Sequence, residues 1–335
     1  MLILKRLVCL FSALTQYVLG GGRWLLLAPL LYSQYSVADC TVPNSSVTLG
    51  PYASSVLSSN SSPQITQSGS GFRCTGSLLS LVGTNTIDAT VESAINASGS
   101  TMRLHRENSS DYVPYSLCMD SGCGTLYNIG STYKWSRTTF LGILGLFNSS
   151  DGTMPIFLRT SIGNNVAAGV YTDTLTIKWD YKLCAFGIGG LCFYDEGTKW
   201  STLNITMTVT NDCNITNAPN INFGTAALPA SFAAVTSGIG VNCTRLGAYT
   251  VKLTSSHPDD PNWRRMTSTA GGTANYLQYQ LYRSDNMAWT ETNDYAGVGS
   301  GIIQTIPYTA RINANQGNKP VGSYHDTVTV TVTIN

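Results

Sequence analysis

Charge is scarce in this 335-residue chain. Charged residues make up 11% of it, and the formal net charge is +1. No basic stripe and no acidic tail is present, so nothing in the chain suits a nucleic-acid backbone. Histidine occurs only at His105, His257 and His325, scattered and with no evident partners, and no CxxC pair exists. A metal centre is therefore not expected. No serine lies in a GxSxG context, and Asp259-Asp260 before Pro261 reads as a turn. The expectation is a protein that is not an enzyme and uses no cofactor. Long runs of Glu, Lys, Ala and Leu are missing, which leaves little to build helices from. No apolar run reaches the ~18–20 residues that a membrane span needs.

What is abundant is Gly, Ser, Thr, Asn and aromatics, a composition of strands and turns. The final stretch, Tyr324–Asn335, reads YHDTVTVTVTIN. Val328, Val330, Val332 and Ile334 fall on one face and Thr327, Thr329, Thr331 and Thr333 on the other. Period 2 with β-branched residues predicts a strand. A near copy lies at Tyr171–Tyr181, YTDTLTIKWDY, with apolar face Leu175, Ile177, Trp179 and Tyr181. The first copy is followed by a loop and a further alternating run, Thr202–Thr210, whose apolar face is Leu203, Ile205, Met207 and Val209. The second copy is followed by nothing. As duplicates, the two halves predict a second half without its last strand.

The N-terminus reads as an export signal. Lys5 and Arg6 precede the apolar stretch Leu7–Leu19, a second apolar stretch follows at Trp24–Tyr32, and Ser36-Val37-Ala38 fits a small-residue cleavage site. Residues 1–38 are the expected signal peptide and Asp39 the expected first mature residue. An uncleaved anchor and a cleavage nearer Gly22 are the alternatives. Removing the signal removes Cys9 and leaves Cys40, Cys74, Cys118, Cys123, Cys184, Cys192, Cys213 and Cys243. An even set in an exported chain reads as disulfides. Cys40–Cys74 and Cys213–Cys243 are similarly spaced near the start of each half and are paired on that ground. The remaining four can be joined in three ways; the local pairs Cys118–Cys123 and Cys184–Cys192 are preferred.

Two domains are expected, at 39–212 and 213–335. Short β-rich runs with turns between them predict an all-β chain of two β-sandwiches. Two loops of the first half are apolar: Leu141–Phe147 (LGILGLF) and Ala185–Leu191 (AFGIGGL), the latter inside the Cys184/Cys192 pair. Their glycines are poor strand material. Each could be a buried strand or packed corner, or an exposed finger. With strands alternating up and down, both loops fall at the pole away from the junction with the second half. The same count puts the Glu107–Pro114 loop there too. The expected surface-binding fingers are Tyr112, Val113, Leu141, Ile143, Leu144, Leu146, Phe147, Phe186, Ile188 and Leu191, since exposed apolar patches mark interaction surfaces.

The second half resembles the spore coat protein U-like domain family, the pilin domain of archaic chaperone–usher pili. The resemblance rests on Cys213, Phe223-Gly224, Val241-Asn242-Cys243-Thr244, Arg265-Met266, Leu277–Tyr282 and Gly322–Thr327 leading into the terminal alternation. The first half matches more loosely, at Cys40, Gly71–Thr75, Met102-Arg103-Leu104 and Gly169–Thr174, and carries insertions. The resemblance implies immunoglobulin-like sandwiches, the C-terminal one incomplete, and a two-domain tip adhesin at the cell surface. It implies as partners a periplasmic chaperone, an outer-membrane usher and the donor strand of the next subunit, added edge-on. Val328, Val330, Val332 and Ile334 would form the floor and edge of that groove. With only Asp39 ahead of Cys40, the chain could accept a strand and have none to donate. The function expected is attachment to abiotic or host surfaces, hydrophobic ones foremost, and biofilm formation. The alternatives are a lectin-like tip with a glycan pocket at Trp135, Tyr127 and Tyr133, and a secreted coat-type structural protein.

Overall fold

The alternation at Tyr171–Tyr181 runs further than its sequence copy. In a computed structural model of the chain, which describes residues 39–60, 62–75, 85–135, 149–188, 191–257 and 263–335, it is the middle of a 20-residue strand. The strands of the first half are β1 (Asp39–Thr41), β2 (Ser45–Ala53), β3 (Ile65–Gly69), β4 (Arg73–Thr75), β5 (Thr86–Ala94), β6 (Met102–Arg106), β7 (Tyr112–Cys118), β8 (Thr132–Trp135), β9 (Pro155–Thr160), β10 (Gly169–Ile188) and β11 (Leu191–Thr210). Those that follow are β12 (Cys213–Asn217), β13 (Val235–Cys243), β14 (Ala248–Ser255), β15 (Arg264–Ser268), β16 (Asn275–Arg283), β17 (Tyr295–Val298), β18 (Ile303–Ile312) and β19 (Val328–Ile334). Among the described residues, helix is confined to a single turn at Ser54–Ser58 and two 3₁₀ turns.

The chain is accordingly all-β and forms two sandwiches, each with its own core. In the first, β10 and β11 form an antiparallel ribbon along their whole length. The other edge of β10 pairs first with β6 and then with β5, so the sheet divides there into two leaves. Between them lie Leu175, Ile177 and Trp179 of β10 and Leu203, Ile205 and Met207 of β11, none more than 1% exposed. Phe72 stacks on Trp179 with ring centroids 4.6 Å apart, and Trp135 lies 6.1 Å from the same indole. In the second, a five-stranded sheet of order β12-β13-β18-β16-β15 faces a three-stranded sheet of order β17-β14-β19. Trp289, Tyr249, Val251 and Leu253 fill the space between.

The four disulfides join Cys40 to Cys74, Cys118 to Cys123, Cys184 to Cys192 and Cys213 to Cys243. Cys40 faces Cys74 across β1 and β4, and Cys213 faces Cys243 across β12 and β13. Both halves thus open with a strand stapled to a partner, the same device used twice.

The up-and-down strand count fails in one place. β5 and β6 run in the same direction along β10, because the turn between them does not reverse the chain. Ile95 N–H donates to Thr174 O and Asn96 N–H to Asp173 Oδ1, which carries the ladder across the interruption. The loop following β6 therefore lies at the Gly169 end of β10, beside the junction with the second half. Tyr112 and Val113 are not at the far pole. Val113 is fully buried, and Tyr112 stacks on His105 beneath the Arg103 guanidinium.

Candidate functional site

β19 has one ladder partner among the described residues, β14, with Val332 opposite Val251 and Val328 opposite Ser255. Its other edge opens on two adjoining cavities of about 310 and 440 Å³. One wall is the chain just ahead of and within β19: Gly322 and Tyr324, then Asp326, Val328 and Val330. The other is the extended stretch from Ala218 to Pro229, which holds Ile221 and Phe223. This stretch has no strand ladder. Met266, Tyr279, Leu281 and Tyr308 form the floor. Val328 and Val330 therefore line the opening. Val332 and Ile334 do not; they lie beyond it, Ile334 at 38% exposure.

A polar cluster is sunk into one end of this opening. The Tyr279 hydroxyl donates to Asp326 Oδ2 at 2.6 Å, Ser256 Oγ donates to Oδ1 at 2.7 Å, and Ser255 Oγ donates to the same carboxylate. His257 Nδ1 lies 3.3 Å from Oδ1. Burial pushes the Asp326 carboxyl up, but the hydrogen bonds from Ser255, Tyr279, Ser256 and His257 outweigh it and hold the pKa below its ordinary value. Burial, reinforced by the bond to Asp326, pushes the Tyr279 phenol well up. The carboxylate stays ionised and the phenol stays a donor, so the cluster is a fixed anchor rather than an acid–base pair. The alternation alone pointed to the valines. The Tyr324/Asp326 pair was visible as the match to Tyr171/Asp173, but nothing in the pattern showed that the opening extends to it.

The opposite end of the molecule is set by the β10–β11 ribbon. The end at which Ile188 pairs with Leu191 lies away from Thr210, where the chain passes to the second half. β9 also begins from that side, since Cys118 pairs with Phe157 and Tyr115 with Thr160. Of the expected fingers, Leu141, Ile143, Leu144, Leu146 and Phe147 lie outside the described residues. Phe186, Ile188 and Leu191 lie on the backbone of the ribbon at this end, and their side chains lie outside the description. Phe193, 69% exposed, adds an aromatic there that the loop reading did not include.

The expected glycan pocket does not form as a pocket. Trp135 is buried in the aromatic stack on Trp179, and Tyr133 and Tyr127 pack edge-on against it in turn. The ring left open is Trp200, 51% exposed, its indole N–H donated to the Glu92 carboxylate.

The junction between the halves is polar. Asp111, 4% exposed, accepts from Arg106 Nη2 at 3.0 Å and from the Arg245 guanidinium of the second half. Asn165 Nδ2 donates to Ser300 O, and the Ser54 hydroxyl bonds that of Thr244. Sequence reading gave no sign of this joint.

The first sandwich is thus closed along the β10 edge by β11, and the second is open along the corresponding edge of β19. The chain belongs to the Spore Coat Protein U domain family, whose model matches residues 27–178 and again residues 199–331. Among solved structures, it is similar to a chaperone–tip adhesion subunit pre-assembly complex from the archaic chaperone–usher Csu pili of Acinetobacter baumannii. That likeness has 25% identity and a TM-score of 0.56, and covers 88% of this chain and 99% of that one. The CupB6 tip adhesin of Pseudomonas aeruginosa aligns at 12% identity and a TM-score of 0.34, over 89% of this chain and 94% of that one. No curated relative matches the chain.

Proposed function

We propose that this chain is the tip adhesin of an archaic chaperone–usher pilus. It is exported to the periplasm, where a pilus chaperone occupies the opening beside β19. The outer-membrane usher then exchanges the chaperone for a strand of the next subunit. At the cell surface the first half points outward, and the apolar segments 141–147 and 185–191 bind hydrophobic surfaces and seed biofilm. The domains are 39–212 for binding and 213–335 for attachment to the pilus. The likeness to a tip subunit in complex with its chaperone supports the assembly role.

The observation that carries the binding role is the ribbon. Twenty-residue strands bring the uncharged, glycine-rich segment 185–191 to the end away from the Asp111–Arg245 joint. Each Leu, Ile or Phe side chain transferred from water to an apolar surface is worth about 1.5–3 kcal/mol, so a few suffice for strong, unspecific attachment.

The test compares the purified chain with the variant Leu144→Ser, Leu146→Ser, Phe186→Ser and Ile188→Ser on hydrophobic and hydrophilic surfaces, with melting temperatures for both. The expected result is at least a tenfold loss of adsorption to the hydrophobic surface at an unchanged melting temperature. Undiminished adsorption, or a collapse in melting temperature, overturns the finger reading.

A further inference from the structure

We propose that the outward face of the β8-β5-β10-β11 strands, centred on Trp200, binds a neutral polysaccharide on the surface to which the cell attaches. The site is separate from the apolar segments 141–147 and 185–191 and does not depend on their role.

Strand register defines the face. Trp200 of β11 stands opposite Lys178 of β10, Lys178 opposite Thr90 of β5, and Thr90 opposite Thr132 of β8. The next row across is Thr198, Asp180, Asp88 and Lys134. Side chains of this parity share the outer face. Those of the other parity, among them Ile87, Ile177 and Trp179, are buried in the core. β2 joins β11 only from Leu203 onward, so among the described residues no strand covers the edge beside Trp200.

Trp200 is tethered across the sheet. Its indole N–H donates to the Glu92 carboxylate. Glu92 belongs to β5, and β10 lies between β5 and β11. Neighbouring strands lie about 4.8 Å apart, so the bond bridges two strand spacings, ~10 Å. It draws the ring down across β10, with one face toward the sheet and the other toward water, in keeping with its 51% exposure. A pyranose offers a face of C–H groups ringed by hydroxyls. The electron-rich face of an indole takes the C–H groups, and charged donors and acceptors around it take the hydroxyls.

The charges beside the ring decide the charge of the ligand. Lys178 pairs with Asp180 at 3.0 Å, Lys182 with Glu196 at 3.1 Å, and Lys134 with Asp88 at 3.4 Å. Thr198 Oγ1 also donates to Asp180 Oδ1, at 2.6 Å. Each of these lysines is neutralised within the face, and Glu92 is engaged by the indole. A polyanion or polycation therefore gains little here, whereas a neutral polyhydroxyl chain meets donors and acceptors side by side. Exposed ion pairs hold one another weakly, so they can turn to ligand hydroxyls at small cost.

The fold does not require this face. The duplicate strand β19 carries Thr329, Thr331 and Thr333 where β10 carries Thr176, Lys178 and Asp180. Threonine suffices to form the strand. At these positions the ion pair and the neighbouring indole are additions of the first half, in a chain where only 11% of residues are charged.

The experiment uses the full chain with dextran, laminarin, mannan and galactan as neutral probes, and dextran sulfate and DEAE-dextran as charged controls. The readouts are retardation in affinity gels and oxidation of Trp200 by N-bromosuccinimide, mapped by mass spectrometry. At least one neutral probe should retard the chain and slow Trp200 oxidation. Trp200→Ala should weaken retardation about tenfold at an unchanged melting temperature, and Trp200→Phe should recover most of it. The variant Leu144→Ser, Leu146→Ser, Phe186→Ser and Ile188→Ser should be retarded as the unaltered chain is. Retardation by no neutral probe, by a charged control alone, or equally in Trp200→Ala overturns the proposal. So does lost retardation in the variant of the apolar segments, which would assign the sugar to them. If Trp200→Ala lowers the melting temperature, oxidation of the unaltered chain decides: an unprotected Trp200 overturns the site.

Discussion

The same strand is built twice in this molecule and ends in two different environments. In the first half, Leu175 and Ile177 of β10 are fully buried, covered by Leu203, Ile205 and Met207 of β11. In the second, the duplicate positions Val328 and Val330 are only half-buried and face a cavity. The backbone differs as well: the first copy is laddered from Gly169, the second from Val328. A period-2 pattern specifies which side chains share a face. Whether that face is covered depends on a neighbouring strand, and here one half has it and the other does not. At about 1.5–3 kcal/mol per buried aliphatic side chain, the four apolar residues of β11 supply a gross stabilisation comparable to the whole net stability of a small domain.

The largest expected effect breaks this contrast directly. Leu203→Ala should cost the first half about 2–5 kcal/mol, as a truncation in a closed core does. Val330→Ala should cost the second half under about 1 kcal/mol, because its side chain is already half in water. Urea unfolding followed through Trp179 and Trp289 reads the two halves separately, and equal losses would mean that both are equally closed.

A smaller effect is expected at the joint. Arg245→Ala removes the cross-junction ion pair of Asp111, which keeps Arg106, the Ala167 N–H and the Tyr171 hydroxyl, and should cost about 1–3 kcal/mol. The halves should then unfold in two separated calorimetric transitions, whereas a single unshifted transition would show that the joint couples nothing.

The smallest effect appears only in acid. Burial alone would raise the Asp151 carboxyl, but hydrogen bonds from Ser149, Thr153 and Ser45 bring it down to about 2; Asp326 is lowered in the same way. A lowered carboxyl contributes stability above its unfolded pKa of about 3.9 and loses it as pH falls toward the folded value. The first half should therefore soften between about pH 4 and pH 2 through Asp151. Asp326→Asn should remove acid sensitivity from the second half only, and loss of it from both halves would sink the assignment.

Much of the fold was legible because local rules carried it. The alternation of Val328 to Ile334 and Leu175 to Tyr181 marked strands, and duplicate spacing paired the outer cysteines. The Glu107–Pro114 loop went to the wrong end because β5 and β6 continue in one direction, a choice made by hydrogen bonds at Ile95 and Asn96 that no periodicity records. Val113 was read as a surface residue because composition does not separate an exposed aliphatic residue from a packed one. The groove was placed at Val328–Ile334, where alternation is clearest; Val328 and Val330 line it, but its walls continue through Gly322, Tyr324 and Ala218–Pro229 rather than through Val332 and Ile334.

The sequence by itself determined that this chain is built of strands, that it repeats, and that its cysteines staple each half. These follow from side-chain period, β-branching and spacing, which act over a few residues. Only the tertiary structure decided that β11, most of it matched to the second repeat, closes the first. It also decided that the opening beside β19 is floored by Met266, Tyr279, Leu281 and Tyr308, with Asp326 in its wall, and that Asp111 and Arg245 meet across the halves. Those outcomes depend on which distant segments compete for one edge, and that competition is settled by packing and backbone pairing across the whole chain.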